Sequence, residues 1–406
     1  MTAAASAARP RWGLIVLLGC SSSLSPFGMA SVVPTLPLLA RALQRDYAEL
    51  QLVISAYLLG LGLFQPLQGL LSDRFGRRPV LLVGFSVFVL ASLIAANTAS
   101  LPALVAARLL QAVGASVATV IARAVVRDSM EPEPAAVALA FISAIMGLAP
   151  VIAPLIGGVF AGHLGWRGVF WMHAAIGSLL LSLMALRLRE TRPTGLRPMR
   201  VLDLLRGFLT LLQDARFRGY TLTYGFVSGG SFVFIAIGAG LFEHLYGMSA
   251  TQFGALWASL GGFYVAGATL GGHLTRRLGR AASRSSAWHC WSPAAFVFAV
   301  AALPATPPMW GLIGGLALHV FGNSLVSPLA LAGAVSDHPE YAGIAAGLSS
   351  ALAMLVSMAC AMTSGLMYAG RALECALLLL AATALAVLSL RTAQRPRHAH
   401  AAGAAR

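Results

Sequence analysis

A lone arginine in an apolar run is the first residue in this chain that could do chemistry. Arg108 sits in Leu104-Val105-Ala106-Ala107-Arg108-Leu109-Leu110-Gln111-Ala112-Val113-Gly114, and no other charge occurs between Leu101 and Arg123. A cation inside a membrane helix costs several kcal/mol, so it normally faces a water-filled cavity or a partner. The bland alternative is an arginine that snorkels to the nearer surface, seven residues away at Leu101. His173, His289 and His319 also fall in apolar stretches. A buried histidine can titrate near neutrality, although most such residues only pack and hydrogen-bond. His319 is the strongest of the three, because Asn323 lies one turn further along the same helix face. Tyr57, Gln111, Tyr224, Tyr264 and the Phe232/Phe234 segment are further candidates to line a cavity.

Other chemistries find no support. Cys20, Cys290, Cys360 and Cys375 are scattered through apolar segments, with neither metal-ligand spacing nor a disulfide framework. No hydrolytic triad or phosphate-cradling loop is present, so no enzyme, cofactor or metal is expected.

Two stretches must position these residues. Gly69-Leu70-Leu71-Ser72-Asp73-Arg74-Phe75-Gly76-Arg77-Arg78, followed by Pro79, separates two long apolar segments. Its charges cannot enter hydrocarbon, so it forms a tight charged hairpin at one membrane surface. Gly69 and Gly76 suit a sharp reversal. Arg127-Asp128 ends a later apolar segment and is expected to join the same charged cluster, while Arg74, Arg77 and Arg78 are placed to touch anionic lipid heads. In Gly147-Leu148-Ala149-Pro150-Val151-Ile152-Ala153-Pro154-Leu155-Ile156-Gly157-Gly158, two prolines each remove a helical donor and the glycines allow close packing. This predicts a kinked helix that acts as pivot or seal.

Composition sets the class. The 406 residues are 58% hydrophobic and 10% charged, with mean hydropathy +0.80, against about 25% charged in a soluble chain. A spanning helix needs about 20 apolar residues. Twelve such segments are predicted, at 12–38, 50–71, 79–98, 101–124, 136–160, 166–187, 219–242, 251–275, 287–304, 309–333, 341–365 and 371–391. Arg9 and Arg11 before the first span, with Cys20 inside it, resemble a lipoprotein signal, but the apolar run continues past Ser23 and reads as a helix. The +15 charge would suggest nucleic acid in a soluble protein. Here the cations alternate between loops. All 28 are arginine; 23 fall on one side, four (Arg41, Arg45, Arg167, Arg371) on the other, and Arg108 on neither. That asymmetry places both termini in the cytoplasm and makes nucleic acid an unneeded partner.

The chain also repeats. Gly272-His273-Leu274-Thr275-Arg276-Arg277-Leu278-Gly279-Arg280 aligns with Gly69 to Arg77 at an offset of 203, with Arg276 in place of Asp73. The fold class is therefore an all-α polytopic membrane protein with two six-helix pseudo-repeats: 1–190, a cytoplasmic linker at 191–218, 219–395, and a tail at 396–406. A surface helix is expected around Leu202–Leu212.

These motifs resemble the major facilitator superfamily of secondary transporters, whose loop between the second and third helices carries the Gly69–Arg78 pattern. Gln65-Pro66-Leu67-Gln68-Gly69, Ile121-Ala122-Arg123-Ala124-Val125-Val126-Arg127-Asp128 and Gly165-Trp166-Arg167-Gly168-Val169-Phe170 narrow the likeness to the bicyclomycin/chloramphenicol-resistance (Bcr/CflA) branch, most clearly over 1–190. The resemblance implies a monomeric exporter in the bacterial inner membrane, exchanging protons for a small amphiphilic antibiotic, toxic metabolite or siderophore by alternating access. It gives Arg108 and its Gln/Gly neighbours a part in proton coupling. It also makes Asp73 a conformational latch at the inward helix ends and the 147–158 stretch an antiporter motif. One departure matters. The branch places an Asp and then a Tyr before Leu-Pro-x-Leu-Pro in the first helix, and here Ala30 and Val32 precede Val33-Pro34-Thr35-Leu36-Pro37. All thirteen acidic residues lie in loops or near helix ends. Cationic cargo is then disfavoured, and coupling is left to Asp73, Glu243 or a histidine. An uptake symporter or facilitator of the same fold, and a non-transporting membrane sensor or assembly partner, remain the alternatives.

Overall fold

The computed structural model describes residues 12–193, 195, 201–304 and 307–394, with side chains described except over 278–293. His289 and the last three residues of the second repeat, 278–280, lie outside the described side chains. The described residues form helices and short connections, with no strand among them: α1 (Trp12–Ala30), α2 (Leu36–Leu43), α3 (Tyr47–Phe75), α4 (Arg77–Asn97), α5 (Leu101–Ser129), α6 (Pro132–Arg187), α7 (Val201–Gln213), α8 (Ala215–Tyr246), α9 (Ala250–Ala301), α10 (Met309–Ser336), α11 (Ala342–Met367) and α12 (Ala372–Ala393). Ten helical stretches among the described residues are long and apolar enough to cross a membrane.

The prolines and glycines explain where helices break. The first predicted span stops at Ala30, passes through a 3-10 turn at Val33–Thr35 and resumes as α2. Pro34 and Pro37 have no N–H to continue the α1 ladder. Pro26 inside α1 likewise leaves the Ser22 carbonyl without its helical donor, and Thr119 Oγ1 of α5 donates to it at 3.4 Å. At 56 residues α6 is too long to cross once. Gly165 breaks it at φ 68° and ψ −178°, a conformation that favours glycine. Elsewhere α6 keeps helical angles, through both Pro150 and Pro154. The break in α6 falls at the reversal between two crossings. α9 holds the predicted eighth and ninth spans in one helical element, without the separating loop that the arginines at 276–284 suggested.

α1 and α3–α6 pack into one half and α8–α12 into the other. The halves meet along α3 against α11 and α6 against α9. The amphipathic α7 lies between them in sequence, burying Leu204 and Leu211 and setting Gly207 against Tyr341 and Ile344.

Candidate functional site

Arg108 is fully buried, so it does not snorkel. Its Nη1 donates to the Gly28 carbonyl at 2.9 Å and to Gln111 Oε1 at 3.0 Å, and its Nε donates to the Val53 carbonyl at 3.3 Å. The helical partner of the Gly28 carbonyl would be the Val32 N–H, which lies past the end of α1. The arginine thus takes up an acceptor that the proline break has freed. The guanidinium also stacks over Tyr57, 4.1 Å from the ring centroid. Tyr57 donates its hydroxyl to the Ser25 carbonyl (2.9 Å), and Gln111 Nε2 donates to Ser92 Oγ (2.7 Å). Arg108 Nη2 has no hydrogen-bond partner among the described residues, and no described carboxylate pairs with the charge. A positive charge held by carbonyls and a ring face alone is energetically exposed, because a buried ion is normally neutralised by an opposite one.

His173 belongs to the same half. It is fully buried, ringed by Phe27, Phe88 and Phe170, and its Nε2 lies 2.7 Å from Ser31 Oγ. With the Ser31 hydroxyl proton given to the Phe27 carbonyl at 2.7 Å, His173 donates Nε2–H to Ser31. His319 and Asn323 sit elsewhere. Asn323 Nδ2 donates to the Val227 carbonyl (3.2 Å) and to Ser231 Oγ, and Asn323 Oδ1 accepts from Ser327. His319 lies 3.2 Å from where a Cβ on Gly230 would stand. The structure thus divides the expected cavity set into an Arg108–Gln111–Tyr57 cluster in one half and a His319–Asn323 pair in the other.

At the arginine-poor end the halves close on each other. A Cβ on Gly158 of α6 would stand 2.5 Å from the Ala250 carbonyl oxygen, and one on Gly254 of α9 2.3 Å from that of Pro154, while Gly157 makes a similar approach inside the first half, 2.1 Å from the Ser31 carbonyl oxygen. These are backbone-to-backbone crossings that only glycine permits. Gly147 faces open space, with nothing within 4 Å, and Pro150 is exposed, so the front of the 147–158 motif takes no part in the seam. Gln51 Nε2 of α3 donates to the Ala236 carbonyl of α8 at 2.8 Å, and Tyr47 Oη accepts from Gly240 N at 3.2 Å. Arg41 of α2 pairs with Glu243 of α8 across the same seam. Both are solvent-accessible, so the pair is worth at most about 1 kcal/mol and the packed backbone carries the closure. No local signal links Arg41 to Glu243, which lie 202 residues apart.

At the arginine-rich end Arg77 organises the charged hairpin. It pairs with Asp73, donates Nε to Asp128 Oδ2 at 2.9 Å and Nη1 to Ser72 Oγ at 2.7 Å. These partners tie α3, α4 and α5 of a single half together. Arg127 does not join the ion pairs; its Nε donates to the carbonyl of Arg123 one turn back, which points the side chain along its own helix. Arg74 stacks on Phe75, Arg78 Nη2 donates to the Ala185 carbonyl at 2.8 Å, and Gly69 lies against Val120.

Glu190, just past α6, completes the cluster and is the member that sequence reasoning missed amid seven linker arginines. Its carboxylate accepts from the backbone N–H groups of Arg77 (2.9 Å), Arg78 (3.2 Å), Thr191 (3.0 Å) and Arg192 (2.9 Å). It therefore caps the positive end of α4. Gly76, at φ 99°, leaves room for it, since a Cβ there would stand 2.6 Å from Glu190 Oε2. Burial pushes the Glu190 carboxyl up, but the four N–H donors together outweigh it and hold its pKa below the ordinary value. A depressed carboxyl stabilises the fold above its unfolded pKa and loses that contribution as pH falls through the folded one. E190Q is expected to melt below wild type at pH 7, with the gap closing as pH drops below about 4. Thermal denaturation across that range checks this.

Comparison with known proteins gives the lineage. The family model described as Major Facilitator Superfamily matches residues 18–362. Multidrug resistance protein D of Escherichia coli (strain K12) is 30% identical over 339 residues, covering 84% of this chain and 85% of that protein. A chloramphenicol resistance protein of Pseudomonas aeruginosa is 31% identical over 331 residues, 81% of this chain and 78% of that one. Among solved structures, an inward-facing, unoccupied bacterial homologue of the human lysosomal transporter Spinster superposes with a TM-score of 0.79 at 16% identity, covering 95% of this chain and 97% of that one.

Proposed function

The chain belongs to the major facilitator superfamily of transporters, alongside its bicyclomycin- and chloramphenicol-resistance proteins, and on that footing we propose that it exports small amphiphilic, antibiotic-like compounds in exchange for protons. The arginine-rich face is taken as cytoplasmic, in the bacterial inner membrane, with both termini inside and the chain acting as a monomer. The halves, at about 1–190 and 219–395 around the 191–218 linker, rock about a central site. The siderophore option has no counterpart among the relatives above and is not carried forward.

One observation carries this reading: a fully buried, carboxylate-free Arg108 fixed to the break in α1, beside the seam that must open. The same arginine neighbours His173, which reaches Ser31 where the end of α1 crosses α6 at Gly157, next to the 33–35 turn that meets α8 and α9 of the other half. A second reading, facilitated diffusion or uptake, is favoured by the placement of all thirteen carboxylates in loops or at helix ends. Accumulation assays separate the two. In cells stripped of their own pumps, expression is expected to lower the steady level of a fluorescent antibiotic, and an uncoupler to restore it. A level indifferent to the uncoupler favours the facilitator, and a level indifferent to expression removes both.

A further inference from the structure

Arg123 occupies a position that the closed seam and the charged hairpin leave unused. It lies on α5 six residues before Ser129, about 9 Å inside the arginine-rich end of the helix. Its side chain is exposed and forms no ion pair among the described residues, and the hairpin carboxylates Asp73 and Asp128 are both paired with Arg77. α5 does not pack against α8 or α9 of the other half. Across that gap, Arg123 is within electrostatic reach of Tyr224 on α8, and Tyr224 of Tyr264 on α9.

Helix periodicity confirms which way Tyr264 faces. Trp257 stacks on Phe234 of α8, and Gly261 meets Val151 of α6. Tyr264 continues that stripe at the next turn and is 38% exposed. It looks into the space between the halves, deeper than Arg123. The gap therefore presents an unneutralised guanidinium near its mouth and two phenol rings further in. No carboxylate lies along this stretch of α5, α8 or α9 to attract a cation. Guanidinium groups bind carboxylate, sulfonate and phosphate oxygens well, and tyrosine rings offer a flat apolar wall with a polar tip.

We propose that Arg123, Tyr224 and Tyr264 form the cargo-recognition site and that its cargo is an anionic aromatic amphiphile, held with the anion on Arg123 and the ring system against the tyrosines. This inference rests on the transport reading above and adds the charge class of the substrate. It requires the chain to discriminate by charge at constant shape.

The test uses the full-length protein and three probes sharing one ring system: naphthalenesulfonate, naphthalenemethanol and naphthyltrimethylammonium. Binding to purified protein is measured by scintillation proximity, and uptake in proteoliposomes. The sulfonate is expected to bind at least about tenfold more tightly than the alcohol, which corresponds to about 1.4 kcal/mol, and the ammonium least. R123Q is expected to erase that preference by weakening sulfonate binding about tenfold, and R123K to retain it. Matching melting curves for the three proteins keep a folding defect from imitating the result. Equal binding of all three probes, or a charge preference that survives R123Q, overturns the proposal. Charge-blind uptake by wild type would sink this inference and leave export standing. Arg123-dependent sulfonate binding without uptake would sustain the site and remove the transport reading.

Discussion

R108A is expected to reduce transport by more than about tenfold. The alanine removes the donors to the Gly28 carbonyl and to Gln111 Oε1 in a site with no water access, and each buried acceptor left unsatisfied costs about 1–3 kcal/mol. The same substitution also removes a buried, uncompensated charge, which by itself is stabilising. Folding is therefore expected to change less than activity, and the melting temperature is the measurement that separates the two. R108K decides whether charge alone suffices. A lysine keeps the cation but is a single point donor, unable to span the Val53 carbonyl, the Gly28 carbonyl and Gln111 as the planar fork does. It is expected to recover only a minor part of the wild-type rate. Wild-type transport in R108A would remove Arg108 from the mechanism.

The second large effect is steric. In G158A the new methyl would stand 2.5 Å from the Ala250 carbonyl oxygen, while ordinary contact begins at 3.4 Å. α6 and α9 must then separate by close to 1 Å, and both sides of the contact are backbone of packed helices that cannot yield independently. The closed arrangement at the arginine-poor end is disfavoured, and transport is expected to fall by about tenfold or more, the effect of 1.4 kcal/mol or more on one of the two states. G147A, eleven residues earlier in the same motif, meets nothing within 4 Å and should leave transport unchanged. A cysteine at Ala239, which lines the 300 Å³ cleft of the seam and is 3% exposed, reports the conformation. In a background without the native cysteines, its labelling by an impermeant maleimide is expected to speed up in G158A and not in G147A. Equal labelling in the two would mean that the seam tolerates the extra carbon.

Much of this fold is legible in the sequence because hydrocarbon punishes misplaced charge so heavily. Arginines and Asp73 delimit the spans, and the short gap around Gly165 is visible as a boundary between two apolar runs. The charged hairpin is legible for the same reason. What sequence does not disclose is which helices touch. The 147–158 motif carries five glycines and prolines of interest, yet only Pro154, Gly157 and Gly158 meet another backbone. Gln111 and Tyr57 gather on Arg108, whereas Asn323, equally polar and equally embedded, bonds within the other half, where His319 packs against Gly230. Nothing in local spacing distinguishes those outcomes. Glu190 is hidden for a related reason. Two of its four partners are backbone N–H groups more than a hundred residues earlier, and a backbone donor leaves no mark in a sequence.

Coupling between cargo and proton is tested most directly in liposomes that contain the purified protein and an internal pH dye. Addition of a transported compound is predicted to produce a proton flux opposite to the compound's movement, present in wild type and lost in R108A. Compound movement with no accompanying proton flux would contradict the account, and would establish that a carrier with every carboxylate in a loop or at a helix end works as a facilitator.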